Sequence, residues 1–150
     1  MKLLGQGVLL VSLSLLLFFH SSCGRRAPEY EEVFVDDSLI RLPLSRVYDR
    51  DVHFFTFKVD GRNVNFFVRT DGRGHLQTHF DACYSCFKYK LGYVHEGDQV
   101  VCLACRIGYK LEEEVWDYVG ACVPISLKSR IAEPFLVLDV DWVKKGARYF

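Results

Sequence analysis

The sequence predicts a mainly β fold of the β-rich α+β type, an antiparallel meander that carries cysteine-containing loops and one or two short helices. Aromatic residues make up 15% of the chain, with 12 Phe and 8 Tyr, and these residues favour strands. Short segments in which polar and apolar residues alternate recur along the chain, and glycine-containing turns separate them. At 150 residues, the chain is long enough for one domain with a modest core.

The first predicted hairpin surrounds Asp60-Gly61. Apolar and polar residues alternate from Val52 to Val59, and the pattern resumes from Arg62 to Val68. Asp-Gly between two such segments is the strongest short signal for a hairpin. A two-residue loop predicts three cross-strand pairs that place apolar side chains on one face, namely Val59 with Arg62, Phe57 with Val64 and Phe55 with Phe66.

A second turn at residues 70–74 leads into a predicted strand at residues 75–81. Pairing Arg69 with His75 places Val64 opposite Phe80 and keeps the apolar face continuous over three strands. The opposite face then carries polar side chains, which are those of Asn63, Asn65, Arg69, His75, His79 and Asp81.

The second half of the chain predicts further short elements. A hairpin around Glu96-Gly97-Asp98 joins residues 92–95 to residues 99–102. One or two helical turns are predicted at residues 112–118, with Gly120 stopping the helix. Residues 135–140 predict a final strand, and the C-terminal tail has the composition of a further short helix.

The N-terminus predicts export from the cytoplasm. Residues 1–22 contain a long apolar segment after Lys2 and have the layout of a signal peptide or signal anchor. Ser21-Ser22-Cys23 resembles the lipidation motif of bacterial lipoproteins, which makes Cys23 a candidate lipidation site. We expect residues 23–38 to form a tether and residues 39–150 to form a cysteine-rich metal-binding domain, membrane-anchored and extracytoplasmic, in the periplasm or at the cell surface.

Charge and motif content exclude several functions. Lys plus Arg and Asp plus Glu number 19 each, so no overall field attracts nucleic acid. The sequence contains no phosphate-binding loop, no Ser-His-Asp order and no paired-carboxylate motif. These absences favour a redox carrier over an enzyme with its own substrate.

Two CxxC pairs predict a metal site. They are Cys83 with Cys86 and Cys102 with Cys105, and thiolates at this spacing bind zinc or iron-sulfur clusters. The spacing does not select between iron and zinc. A thiol-disulfide oxidoreductase is an alternative, as are two small disulfides, although loops this short constrain the unfolded chain little. Haem attachment is excluded because Phe87 and Arg106 follow the pairs where histidine is required.

Three further residues are candidates for the site. Cys122 could be a fifth ligand, although an isolated cysteine is more often simply buried. Asp81 and His79 precede the first CxxC pair and could hydrogen-bond to ligands from outside the coordination shell. The alternative for both is a solvated position on the polar sheet face.

An ordered series of motifs resembles the FtrD-like membrane iron-sulfur family over about residues 40–140. The motifs are Phe80-Asp81-Ala82-Cys83, Gly92-Tyr93, Gly97-Asp98 and Gly120-Ala121-Cys122-Val123-Pro124, together with the two CxxC pairs. The resemblance implies an extracytoplasmic iron-sulfur domain that is linked in some members to ferrous iron uptake and is thought to pass electrons to a membrane partner. It implies Cys83, Cys86, Cys102 and Cys105 as ligands, with Cys122 in the position of a fifth cysteine.

The sequence departs from the family pattern at two turns. Ala121 and Val123 replace the second Gly and the Asn of the family's turn around the fifth cysteine. Arg106 replaces a Gly that often follows the second CxxC pair, so this turn has to form without the residue best suited to a positive φ angle.

Overall fold

A computed structural model describes residues 27–112 and 122–150. These residues form a five-stranded sheet and two three-stranded sheets, with two short α-helices. In chain order the elements are β1 (Glu31–Glu32), β2 (Leu39–Pro43), α1 (Leu44–Val47), β3 (Val52–Val59), β4 (Arg62–Thr70), β5 (Leu76–Cys83), β6 (Tyr93–Glu96), β7 (Gln99–Cys102), β8 (Gly108–Lys110), β9 (Pro124–Ser126), β10 (Ser129–Ala132), β11 (Phe135–Asp139) and α2 (Val140–Lys145). Two 3₁₀ turns, Phe87–Tyr89 and Gly146–Tyr149, complete the set. The mainly β prediction is confirmed.

The five-stranded sheet has the order β1-β3-β4-β5-β9, and its central hairpin has the predicted register. Val59 pairs with Arg62 and Phe55 pairs with Phe66. Both loop residues, Asp60 and Gly61, have positive φ angles of 48° and 77°. Two consecutive positive φ angles are typical of the tight turn that suits the twist of a hairpin, and Asp-Gly adopts it readily.

The register predicted for β4 and β5 is wrong by two residues. Phe66, and not Val64, lies opposite Phe80, and Thr70 pairs with Leu76. The Asp71 carboxylate explains the shift because it accepts hydrogen bonds from the backbone N–H groups of Arg73 and His75, both at 2.9 Å. This side chain starts the loop one residue later than predicted. A shift of two residues leaves every side chain on its predicted face.

The apolar face of the large sheet packs against the sheet β10-β11-β2 and against α2. Phe66 and Phe80 from the large sheet share this core with Leu136 and Leu138 of β11. The predicted final strand is β11, and the chain turns into α2 at Val140, where the Asp139 carboxylate caps the helix by accepting the Asp141 N–H at 2.8 Å.

The opposite face of the large sheet is also covered over part of its area. Phe67 packs there in a second apolar cluster with Tyr93, Val100 and Cys102 of the sheet β6-β7-β8. Three of the polar side chains on this face are buried, namely Arg69, His79 and Asp81, so the solvated alternative considered for His79 and Asp81 is wrong. The hairpin β6-β7 that covers them is the one predicted around residues 96–98.

The segment before the large sheet takes part in the fold. Within residues 23–38, the predicted tether, β1 pairs in parallel with β3, and the Val33 N–H donates to the Thr56 carbonyl at 2.9 Å. No helix in residues 27–112 and 122–150 is both long enough and apolar enough to cross a membrane. The helix predicted at residues 112–118 lies, apart from its first residue, outside the described residues.

Candidate metal centre

The first CxxC pair begins at the end of strand β5. The strand ends at Cys83, and the Cys86 N–H donates to the Cys83 carbonyl at 3.1 Å, which closes a tight turn between the two cysteines. A 3₁₀ turn follows at once, and Lys90 ends it with a left-handed φ of 54°. We call residues 83–86 the first knuckle.

Strand β7 delivers the second knuckle, residues 102–105. The Arg106 N–H donates to the Cys102 carbonyl and the Cys102 N–H donates to the Ile107 carbonyl, both at 2.9 Å. Arg106 has a φ of 64°, so this turn does require the left-handed conformation at the position where the family often has Gly. A residue with a Cβ costs about 1–2 kcal/mol there. The Arg106 guanidinium also pairs with Glu96 at 3.0 Å.

Strand β9 places Cys122 beside the first knuckle. Pro124 pairs with Cys83, and the Tyr84 N–H donates to the Val123 carbonyl at 3.3 Å. The Tyr109 hydroxyl donates to the carbonyl of Cys122 and ties it to β8. Cys122 is isolated in the sequence. Contacts of its neighbours Val123 and Pro124 with the first knuckle, and its own contact with β8, hold it next to the knuckles.

Five of the six cysteines lie in the described residues, which do not include Cys23, and these five form two sulfur groups. Cys83, Cys86 and Cys122 make one group, Cys86, Cys102 and Cys105 make another, and within each group the sulfur atoms lie within 4.8 Å of one another. Cys86 belongs to both groups. All five are free thiols, so neither knuckle is closed by a disulfide. Cys83 and Cys102 are 2% and 1% exposed, whereas the other three are only partly buried.

The thiols influence one another electrostatically. Burial raises the pKa of Cys102 to about 11, and burial together with Cys83 raises the pKa of Cys86. Burial and the neighbouring Cys105 raise the pKa of Cys122. The pKa of Cys105 is lowered because, against the effect of burial, its sulfur accepts from the Ile107 N–H and from neighbouring thiols. A bound cation would reverse the cost of ionising these groups, so metal binding is expected to release protons.

Asp81 links the two knuckles. Its carboxylate accepts the Tyr93 N–H at 2.6 Å and the Tyr30 hydroxyl at 2.5 Å. Asp81 lies between His79 and Cys83, where the register of β5 with β9 shifts. Burial raises the pKa of Asp81 to about 6, although both hydrogen bonds oppose that shift. Asp81 thus joins the strand of the first knuckle to the start of the hairpin that carries the second.

Gly92 allows this link to form. Its φ is 69°, and a Cβ at this position would overlap the Asp81 carboxylate. The motif that contains Asp81 and the Gly92-Tyr93 motif are therefore in direct contact with each other.

His79 is buried on the same face but belongs to neither sulfur group. Its ring lies against Phe67 with a centroid distance of 5.4 Å. Neither ring nitrogen has a hydrogen-bond partner among the described residues. Burial and the charge of Arg69 lower its pKa to about 3, so the ring is neutral.

Sequence reasoning missed two tyrosines that shape the site. Tyr30 donates to Asp81, but it lies in the segment predicted as a tether and shows no periodicity. Tyr109 contacts Cys122 from β8, a strand of three residues that is too short to give a pattern. A long-range contact of a single side chain leaves no signal in one sequence.

The donor set fits a soft metal or an iron-sulfur cluster. Both groups within 4.8 Å consist of sulfur atoms alone, without imidazole or carboxylate among the described residues. Thiolates are the ligands preferred by iron-sulfur clusters and by structural zinc. These cysteine groups can hold a metal.

Two solved structures of a quaternary ammonium Rieske monooxygenase resemble part of this chain. One is CntA in complex with an inhibitor, at 16% identity and a TM-score of 0.48, over 70% of this chain and 32% of that chain. The other, from work on carnitine oxidation by gut microbiota, has 16% identity and a TM-score of 0.49, over 70% of this chain and 31% of that chain. The chain thus spans about a third of their length. No curated protein sequence matches the chain.

A family model for membrane iron-sulfur containing proteins of the FtrD-like type matches residues 47–150. The match covers both knuckles, Asp81, Gly92 and Cys122, and it begins before β3 and continues through the last described residue. The chain belongs to the FtrD-like family of membrane iron-sulfur containing proteins.

Proposed function

We propose that this protein is a membrane-anchored, extracytoplasmic iron-sulfur protein that transfers single electrons in support of iron uptake. The observation that carries the proposal is the convergence of five free cysteines into two sulfur groups that share Cys86. Family membership supports an iron-sulfur centre at the membrane.

Four cysteines, Cys83, Cys86, Cys102 and Cys105, are the proposed ligands, and Cys122 is the candidate fifth participant. A bound iron-sulfur cluster supplies one-electron chemistry, with a potential that depends on burial and on hydrogen bonds to sulfur. The protein contributes two different surroundings. Cys83 and Cys102 are shielded from water by Tyr93, Phe67 and Val100, whereas Cys86, Cys105 and Cys122 lie nearer the surface. This arrangement gives electrons a short path between the centre and a partner.

Metal and sulfide analysis of protein purified without oxygen tests the centre. We expect brown protein with a broad visible absorption band that bleaches with dithionite, and iron and acid-labile sulfide in equal amounts. Colourless protein with one zinc per chain and no sulfide would instead establish a structural zinc site. Metal-free protein whose thiols cycle with a dithiol reductant would establish a thiol-disulfide oxidoreductase.

A Cys23→Ser variant of the full chain tests the anchor. If residues 1–22 are removed and Cys23 is lipidated, the mature mass of the wild-type protein includes the lipid, whereas the mass of the variant, which lacks the thiol that carries the lipid, does not. Wild-type protein that keeps residues 1–22 and carries no lipid would show a signal anchor in place of the lipid.

A further inference from the structure

The first knuckle is followed by an exposed apolar segment. Phe87, Tyr89 and Leu91 are 38%, 58% and 53% exposed, and Lys88 and Lys90 alternate with them. Single exposed apolar residues are common on protein surfaces, but three within five residues concentrate exposed apolar surface in one short segment, as interaction sites do. We call residues 87–91 the knuckle patch.

The knuckle patch and the sulfur groups share a cavity. This cavity, of about 50 Å³, is lined by Cys83, Cys86 and Cys102. Phe87, Lys90 and Leu91 line the same cavity and join it to the patch. The patch therefore lies close to the sulfur atoms of these cysteines.

The exposed charges next to the first knuckle are positive, whereas Asp81, which lines the same cavity, is buried. Between Ala82 and His95 the sequence contains two lysines and no Asp or Glu, although the whole chain has a formal net charge of zero. Arg148 adds a third cation. Its guanidinium lies 4.8 Å from the centroid of the Tyr149 ring, and that ring packs on Phe87 at a centroid distance of 5.5 Å. An apolar centre and a basic rim thus occur together.

We propose that the knuckle patch is the docking surface for a protein redox partner that presents an apolar contact bordered by acidic side chains. The inference rests on the proposed electron-transfer function and names the partner of that site. Redox encounters use small interfaces, and complementary charges increase the rate at which they form. A partner seated on Phe87 and Leu91 approaches Cys86 without any rearrangement of the buried ligands.

A lipid surface fits this position less well than a protein does. A membrane pressed against Phe87 and Leu91 would cover the opening of the cavity and separate the sulfurs from any partner outside the membrane. A protein partner makes the same apolar and ionic contacts and brings its own redox centre to the opening.

Electron transfer to two protein probes of opposite charge tests the docking surface. Holoprotein reduced beforehand by one electron is mixed with an acidic plastocyanin, whose Cu(II) becomes Cu(I), or with basic cytochrome c, whose Fe(III) becomes Fe(II). One electron leaves this protein and one arrives at the probe, with no proton or bond change. We expect a Lys88→Glu/Lys90→Glu variant to react about tenfold more slowly with plastocyanin at low salt and faster with cytochrome c. High salt should reduce both effects.

A charge-matched control is Arg50→Glu/Arg130→Glu, which changes two exposed cations on other surfaces, before β3 and on β10. We expect it to change the plastocyanin rate less than twofold. A neutral pair, Lys88→Gln/Lys90→Asn, provides a milder change if Glu disturbs the left-handed conformation at residue 90, and it should give an intermediate rate.

Each result either supports or overturns the proposal. Equal effects of the patch and control variants, in protein that still carries a reducible centre, would overturn the docking surface and leave the proposed function intact. Binding of wild-type protein to phosphatidylglycerol vesicles that the patch variant loses, without a change in plastocyanin rate, would assign the patch to lipid. Protein without a reducible centre would overturn both proposals.

Discussion

A Cys86→Ser variant is expected to lose nearly all bound metal, with less than a tenth of the wild-type content remaining. Cys86 belongs to both sulfur groups, so its removal leaves neither group with three sulfur atoms. Serine has nearly the same shape, but its hydroxyl is a poor ligand for the soft metals that thiolates select. Iron, zinc and sulfide per chain, measured on protein prepared without oxygen, give the result.

Variants of two other cysteines and of a histidine provide comparisons for this loss of metal. Cys102→Ser is also expected to lose the metal and to destabilise the protein, because Cys102 is one of the four proposed ligands. Cys122→Ser should retain more metal, because Cys122 is the candidate fifth participant and is not one of those four. His95→Ala is the control, since His95 pairs with Asp51 at 2.9 Å and lies in neither sulfur group. Full metal content in Cys102→Ser would show that the four-cysteine assignment is wrong.

Loss of metal has to be distinguished from failure to fold. Urea unfolding of the metal-free proteins makes the distinction, because thiol-to-hydroxyl replacement at partly buried Cys86 should change metal-free stability by only about 1 kcal/mol. The metal-loaded forms should differ by much more, since binding to the native state alone adds its free energy to stability.

Sequence patterns predicted the features of the fold that depend on residues close together in the chain. The Asp60-Gly61 turn fixed the β3–β4 register, because a two-residue loop permits only one alignment of the flanking strands. The next turn was misplaced because the Asp71 side chain determines where the loop begins, and sequence alternation does not report a hydrogen bond to the backbone. The positions of both CxxC pairs at strand ends followed from the same local patterns.

Contacts between distant segments were not predictable. Arg69, His79 and Asp81 alternate with apolar residues, as solvated side chains of a two-layer sheet do, and only the docking of β6–β8 buries them. The position of Cys122 depends on the pairing of β9 with β5. Strand β9 has only three residues, which is too short for a sequence pattern to predict this pairing. The motif resemblance indicated Cys122, but the geometry explains why it belongs with the two knuckles.

A Gly92→Ala variant is expected to lose about 3 kcal/mol of stability, and the loss should depend on Asp81. At Gly92 an added methyl group meets two obstacles, a left-handed φ of 69° and the Asp81 carboxylate. The backbone conformation accounts for about 1 kcal/mol, and the overlap with a buried carboxylate accounts for the rest. Urea unfolding monitored by tyrosine and tryptophan fluorescence measures the change.

Gly97 provides a matched control for the backbone contribution. It also lies in the β6–β7 hairpin region and has a φ of 64°, but a Cβ there would have no atom within 4 Å. Gly97→Ala should therefore cost only the conformational penalty of about 1 kcal/mol. Equal losses at Gly92 and Gly97 would contradict a link between the two knuckles through the Asp81 carboxylate.

A double-mutant cycle then isolates the contact between Gly92 and Asp81. Asp81→Ala alone should cost about 3 kcal/mol, because the buried Tyr93 N–H and the Tyr30 hydroxyl lose their acceptor. In that background the carboxylate is gone, so Gly92→Ala should cost no more than Gly97→Ala does. The two losses are therefore expected to be non-additive by at least 1 kcal/mol. Because Asp81 holds the β6–β7 hairpin against β5, both single variants should also bind metal more weakly, whereas Gly97→Ala should bind it as the wild type does. Additive losses, or normal metal binding in both single variants, would mean that the Asp81 link stabilises the fold without positioning the sulfurs.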